Sequence, residues 1–168
     1  MKKFELTTDF IAPFGVKLFR IKALIEFGNV KAGELGGYVE KEENLSHHGN
    51  AWVYGNARVC DNAMVCGNAS VCDNARVCGN AWVCDNAMVC DNADYTTIKG
   101  FGTKYRNTTF FRCKDGSVKV SCGCFLGTID EFRKQVTETR EGKIAKEYLM
   151  IADLMEYHFA ESEVADNE

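Results

Sequence analysis

Nine cysteines and three histidines are the residues of this 168-residue chain with the most obvious reactive chemistry. Six of the cysteines, Cys60, Cys66, Cys72, Cys78, Cys84 and Cys90, recur at intervals of six. A structural zinc site gathers four ligands, usually from pairs two to four residues apart, and an interval of six does not supply such pairs. Cys122-Gly123-Cys124 falls one residue short of the two-residue spacing of redox dithiols, and no histidine lies near it in sequence to act as a base. A histidine general base would have to be His47, His48 or His158, which are two neighbours and one residue near the end of the chain. These spacings favour packing roles. Cysteine is a compact, slightly apolar side chain, and Tyr54 fills the same position without sulfur.

The elements that position these residues follow from the period. From Val53 to Asp94 the chain reads VYGNAR, VCDNAM, VCGNAS, VCDNAR, VCGNAW, VCDNAM, VCDNAD. Val therefore recurs at 53, 59, 65, 71, 77, 83 and 89, with Asn three and Ala four places later. A period this short, built of a β-branched residue and turn formers, predicts a parallel β-helix. Three hexads would close one coil, with coils about 4.8 Å apart. Val and Ala would point inward, and Asn would take the left-handed corner conformation. Residues eighteen apart would then form outward columns: Trp52, Ser70 and Met88; Met64 and Trp82; Arg58, Arg76 and Asp94. Cys60/Cys78, Cys66/Cys84 and Cys72/Cys90 would stack as pairs within reach of a disulfide. An outward surface of Trp, Met and Cys calls for a cover, from the chain itself or from a partner.

The hexads resemble the left-handed β-helix of hexapeptide-repeat proteins, with HHGNAW and YTTIKG as imperfect flanking copies. Left-handedness is implied by that resemblance alone. LFRIKALIEFGNVKAGELGGYVEKEENLS, from Leu18 to Ser46, is similar to the leader before N-A-x-V hexads in phage and prophage proteins. TTFFRCKDGSVKVSCGCFLGTIDEF is similar to a module that follows such arrays. The resemblance implies phage or prophage origin and a partner among host proteins, with inhibition of host defence as one role. It also brings a competing reading, since many hexapeptide-repeat proteins are acyltransferases that use an acyl-CoA donor and a histidine base. Here the repeats are few, no long loop interrupts them, and only His47 and His48 lie beside them.

Composition bounds the remaining possibilities. A net charge of −4 gives no general attraction to nucleic acid or anionic membrane. Asp61, Asp73, Asp85, Asp91 and Asp94 surround Arg58 and Arg76, against a nucleic-acid stripe. Alternation of Gly with Asp follows from corner chemistry. No apolar run approaches a membrane span and the amino terminus does not read as a signal peptide, so a cytoplasmic location and free thiols are expected.

In order, residues 1–46 read as a β-rich cap that would close the first coil, residues 47–99 as the hexapeptide β-helix, and residues 100–168 as a hairpin plus two helices. Thr108 to Cys113 and Ser117 to Phe125 form the hairpin around Lys114-Asp115-Gly116. Thr128 and Glu131 make a capping box for the first helix, and Gly142 precedes a second with an apolar stripe of Ile144, Tyr148, Ile151, Met155 and Phe159. Glu161, Glu163, Asp166 and Glu168 form an acidic tail expected to be solvated. The expected fold class is thus mainly β: a short parallel β-helix with an N-terminal β cap and a C-terminal α+β module. The expected function is non-catalytic binding and self-association through Trp52, Met64, Trp82, Met88, Arg58 and Arg76, without metal or cofactor. The partner, the oligomeric number and whether a small signalling molecule is bound stay open.

Overall fold

The computed structural model describes residues 1–160, so the acidic tail expectation lies outside the described residues. The architecture is not the mainly β parallel β-helix that the period suggests. The strands form four small sheets of mixed direction, and two helices follow. Strands β1 (Phe4–Ile11), β2 (Leu18–Ala23) and β3 (Leu35–Val39) pair antiparallel in sequence order. The hexads contribute seven two-residue strands: β4 (Trp52–Val53), β5 (Arg58–Val59), β6 (Met64–Val65), β7 (Ser70–Val71), β8 (Arg76–Val77), β9 (Trp82–Val83) and β10 (Met88–Val89). These are divided among three sheets, β1-β2-β3-β5-β8, β10-β7-β4 and β6-β9. The fourth is the antiparallel meander β11 (Tyr95–Phe101), β12 (Arg106–Arg112), β13 (Val118–Cys122) and β14 (Phe125–Thr128). Helices α1 (Ile129–Thr139) and α2 (Gly142–Phe159) complete the order. A hexad spends four of its six residues in the corner, so its ladders are short; the long strands lie outside the repeats and pair antiparallel.

Within the hexads, partners eighteen residues apart pair in parallel, as Trp52↔Ser70, Met64↔Trp82 and Arg58↔Arg76. Earlier pairs, Val39↔Val59 and Leu45↔Val65, are twenty apart, and the two extra residues fall in the segment holding His47 and His48. The valines from Val53 to Val89 and their alanines are buried. Such burial of apolar surface, at about 25 cal/mol per Å², drives this region.

The corners depart from expectation. The left-handed residue is the third of the hexad rather than Asn: Gly55, Asp61, Gly67, Asp73, Gly79 and Asp85 all have φ between 56° and 70°. At five of these six corners, all but that of Gly79, the alanine of the hexad closes the turn, as where Ala75 N–H donates to the Cys72 carbonyl at 3.1 Å. Only Gly, and to a lesser extent Asp or Asn, takes this conformation cheaply, which accounts for the Gly/Asp alternation. Asn instead forms ladders, with Asn62 Nδ2 donating to Asn80 Oδ1 and Asn68 Nδ2 to Asn86 Oδ1, both at 3.4 Å. At Asp91 φ turns to −129° and the residue caps a 3₁₀ turn, Asn92–Asp94, which ends the repeats.

Sequence boundaries blur in space. β3, within residues 1–46, lies in one sheet with β5 and β8 and pairs directly onto β5. YTTIKG is not a ninth hexad but most of β11, which runs across the expected boundary at residue 99. One apolar cluster extends from Phe4 through the hexads to Cys113. A second joins Phe110 and Val120 of the meander to Phe132, Ile151 and Phe159 of the helices. The capping box is present, with Glu131 N–H donating to Thr128 Oγ1 at 3.2 Å and Thr128 N–H to Glu131 Oε2 at 2.8 Å. No described helix is long and apolar enough to cross a membrane.

Candidate binding surface

The backbone polarity of the hexads decides which surfaces are open to a partner. Amide N–H groups of the earlier hexads donate to carbonyls sixteen or seventeen residues later, as from Trp52 to Ala69, Arg58 to Ala75 and Met64 to Ala81. Taken alone, the hexads would end in bare carbonyls at one edge, where leader amides Tyr38 N, Glu40 N and Ser46 N meet Ala57 O, Val59 O and Val65 O, and in bare amides at the other. Lys3 covers the carbonyl edge, its Nζ donating to Ala51 O at 2.8 Å and to Gly49 O at 3.3 Å. Side-chain oxygens cover the amide edge. Asn92 Oδ1 accepts from Arg76 N, Tyr95 Oη from Cys78 N, Thr109 Oγ1 from Trp82 N, and Asp94 Oδ2 from Cys90 N. Edges blunted in this way do not invite strand addition, which leaves the faces.

The six residues expected on the surface separate. Trp52 is fully buried: the ring of Phe27 lies 5.3 Å away, that of Phe4 6.3 Å, and a Cβ at Gly36 would sit 2.7 Å from the indole. The leader covers it, so Trp52 belongs to the core. Met64 and Arg58 are half-buried beside their exposed partners Trp82 and Arg76. Met88 is exposed in a third sheet. Trp82, Met88 and Arg76 thus face three directions and do not form one patch. Asp94 leaves its expected column to cap the last hexad and meets Arg112 at 3.4 Å.

Trp82 has neighbours that make it the best-formed site. Its indole keeps 47% of its surface in solvent while its amide is held by Thr109. Thr109, Ser121 and Leu126 stand opposite one another across β12, β13 and β14. Trp82, Asn107, Thr109, Ser121 and Arg106 line a groove of about 220 Å³. Asn107 Nδ2 donates to Asn80 O at 2.9 Å, tying the meander to the hexads there. Leu126, 46% exposed, sits on the row leading out of the groove.

The candidate catalytic and metal residues take other roles. His47 lies against Phe4 with ring centroids 4.4 Å apart. Its Nδ1 accepts from Lys3 N at 3.1 Å, which leaves the proton on Nε2 to donate to Glu42 Oε1 at 2.7 Å. Hydrogen bonds from His47 and then Lys2 hold the Glu42 carboxyl below its usual range. His48 is exposed, and His158 packs edge-on to Phe159 at 4.9 Å.

Nor do the cysteines form the expected bare wall. Cys60 is buried against Leu18 and Tyr38, and Cys84 is buried beside Cys66. Burial pushes the Cys60 and Cys113 thiols up. Cys72 and Cys90 form a disulfide, a correction to the expectation of thiols throughout; their register places the Cα atoms 4.5 Å apart. The ligand atoms of Cys60, Asp61 and Cys78 lie within 4.8 Å of one another, Asp61 being a third ligand that spacing does not suggest. Tyr95, whose hydroxyl donates to Arg76 O at 2.8 Å, is pushed up to about 12 by burial.

Two features were missed in sequence. The meander has four strands rather than two, because β11 was counted as a repeat and β14 was merged with the hairpin. Helix α2 also carries an exposed apolar row, Met150, Leu154 and Tyr157, whose i, i+4, i+7 spacing was legible beside the buried stripe.

No protein-family model matches the chain, and no curated protein matches it significantly.

Proposed function

We propose that this chain is a non-catalytic binding protein that receives a protein partner at the groove beneath Trp82. The supporting observation is that a half-exposed tryptophan, its backbone pinned by Thr109, borders a polar groove with Leu126 beyond it. An aromatic anchor beside satisfied polar groups is the usual centre of a protein interface. The resemblance of Leu18 to Ser46 and of Thr108 to Phe132 to phage and prophage modules is what suggests a host protein as partner, with inhibition of host defence as the role. Self-association belongs to the same reading, because Met64, the strand partner of Trp82, places a second apolar side chain beside it.

The test is capture of host proteins by wild type and by Trp82→Lys, with native mass measured in parallel. Loss of a specific partner, or of the oligomer, in a variant that stays folded supports the reading. A monomeric wild type that captures the same proteins as Trp82→Lys refutes it. The acyltransferase alternative fits less well, since both ring nitrogens of His47 are engaged. Micromolar coenzyme A binding that depends on His47 or His48 would restore it.

A further inference from the structure

A second cleft, which shares Arg106 with the Trp82 groove, lies between the meander and the two helices. It measures about 250 Å³ and is bordered by Lys104, Arg106 and Arg140, with Phe101, Phe125 and Tyr148 as aromatic lining and Gln135 at the side. A narrower recess of about 60 Å³ continues it inward, sharing Phe125, Arg140 and Tyr148. In a chain of net charge −4, three cations converge here and no Asp or Glu lines the cleft. Among the described residues, none of the three cations is in an ion pair, although ten such pairs occur elsewhere. Two carboxylates of the helices are engaged elsewhere: Glu131 caps Thr128, and Glu147 lies 3.5 Å from Lys143.

The backbone is shaped to the same end. Arg106 lies against Gly123 and Tyr148 against Gly102, so tightly that a Cβ at either glycine would collide with them. Both glycines have positive φ, 62° and 72°, so neither position accepts an ordinary side chain. Arg140 spends one guanidinium nitrogen on the Thr139 carbonyl at 3.0 Å, closing the end of α1.

We infer that this cleft binds a small organic phosphate of nucleotide size, its phosphate held by Arg106, Arg140 and Lys104 and its ring against Phe101, Phe125 and Tyr148. Planar guanidinium groups match phosphate oxygens two at a time and are more weakly hydrated than an ammonium, so they exchange water for such an anion at lower cost. Aromatic walls supply area for a flat ring but do not by themselves select one base. This inference does not depend on the protein partner proposed above.

The test is calorimetry on the full chain with AMP, adenosine and inorganic pyrophosphate. AMP is expected to bind, adenosine to bind at least tenfold more weakly, and pyrophosphate to compete with AMP. Arg106→Gln and Arg140→Gln should each weaken AMP at least tenfold. Cys124 provides a second readout, because its exposed thiol borders the cleft. AMP should slow its alkylation, followed by mass spectrometry, while leaving Cys78 alkylation unaltered. Failure of both AMP and pyrophosphate to bind at millimolar concentration, or binding indifferent to both arginine substitutions, overturns the inference.

Discussion

Lys3 Nζ lies 2.8 Å from the carbonyl oxygen of Ala51 and 4.6 Å from the centre of the Phe27 ring, buried where the first hexads would otherwise end in bare acceptors. A lysine suits this place because it has three donors and no acceptor. Burial lowers its pKa from 10.5 to about 8.

Lys3→Met keeps the length of the side chain and removes the donors. Leaving Gly49 O and Ala51 O unmatched should cost about 1–3 kcal/mol, read as a lower denaturation midpoint. The pH dependence has a definite sign. Between about pH 8 and 10.5 the unfolded lysine holds its proton while the folded one has released it, so stability rises with pH in that window. The difference between wild type and Lys3→Met should therefore shift in favour of wild type across it. A flat difference would remove the charged, desolvated lysine from the account.

The two tryptophans should separate cleanly. Trp52→Ala empties a site enclosed by Phe4, Phe27 and Gly36 and should cost about 3–5 kcal/mol. Trp82→Lys should change stability by no more than about 0.5 kcal/mol, because its side chain is half solvated and its amide bond to Thr109 survives. Thermal melts of both variants check the assignment, and similar losses would contradict it.

Gly79 isolates the corner backbone, because a Cβ there meets nothing within 4 Å while φ is 70°. Gly79→Val should cost about 1–2 kcal/mol from conformation alone. Gly79→Asp restores the residue that neighbouring corners use and should fall close to wild type. Equal melting temperatures for the two variants would show that positive φ is not what selects Gly and Asp here.

Thiol counting tests the cysteine arrangement. Of the nine cysteines, Cys72 and Cys90 are joined and seven are free. Unfolded, unreduced protein should titrate seven thiols, rising to nine after reduction. Reduction should also lower stability, by about 3 kcal/mol if the usual loop-entropy relation holds for a crosslink spanning eighteen residues. Nine thiols without reductant would show that this register does not oxidise.

The repeat region was legible as far as one-dimensional pattern can carry. Val and Ala at fixed positions foretold the core, and the interval of eighteen foretold the parallel pairs. The capping box at Thr128 and Glu131 was equally plain, because it is local. Sequence reading failed where distant segments meet. Nothing within the hexads distinguishes Trp52 from Trp82; one is covered by Phe4 and Phe27, nearly fifty and twenty-five residues upstream, and the other is not. Left-handed backbone was assigned to Asn because it tolerates φ above zero, yet the variable Gly or Asp before it takes that role. The cleft at Arg106 and Arg140 was invisible for the same reason, as its cations come from a strand and a helix end.

The twenty-residue step between Val39 and Val59, followed by regular steps of eighteen, bears on how such a gene can change in length. Because strands three hexads apart share a sheet, duplicating one hexad would move the closing segment onto the wrong sheet, so that Asn92, Tyr95 and Thr109 met the wrong neighbours. Duplicating three would return every acceptor to the amide it already serves. Growth or shrinkage by recombination is thus quantised in blocks of eighteen codons, and viable length variants should be found only at those intervals.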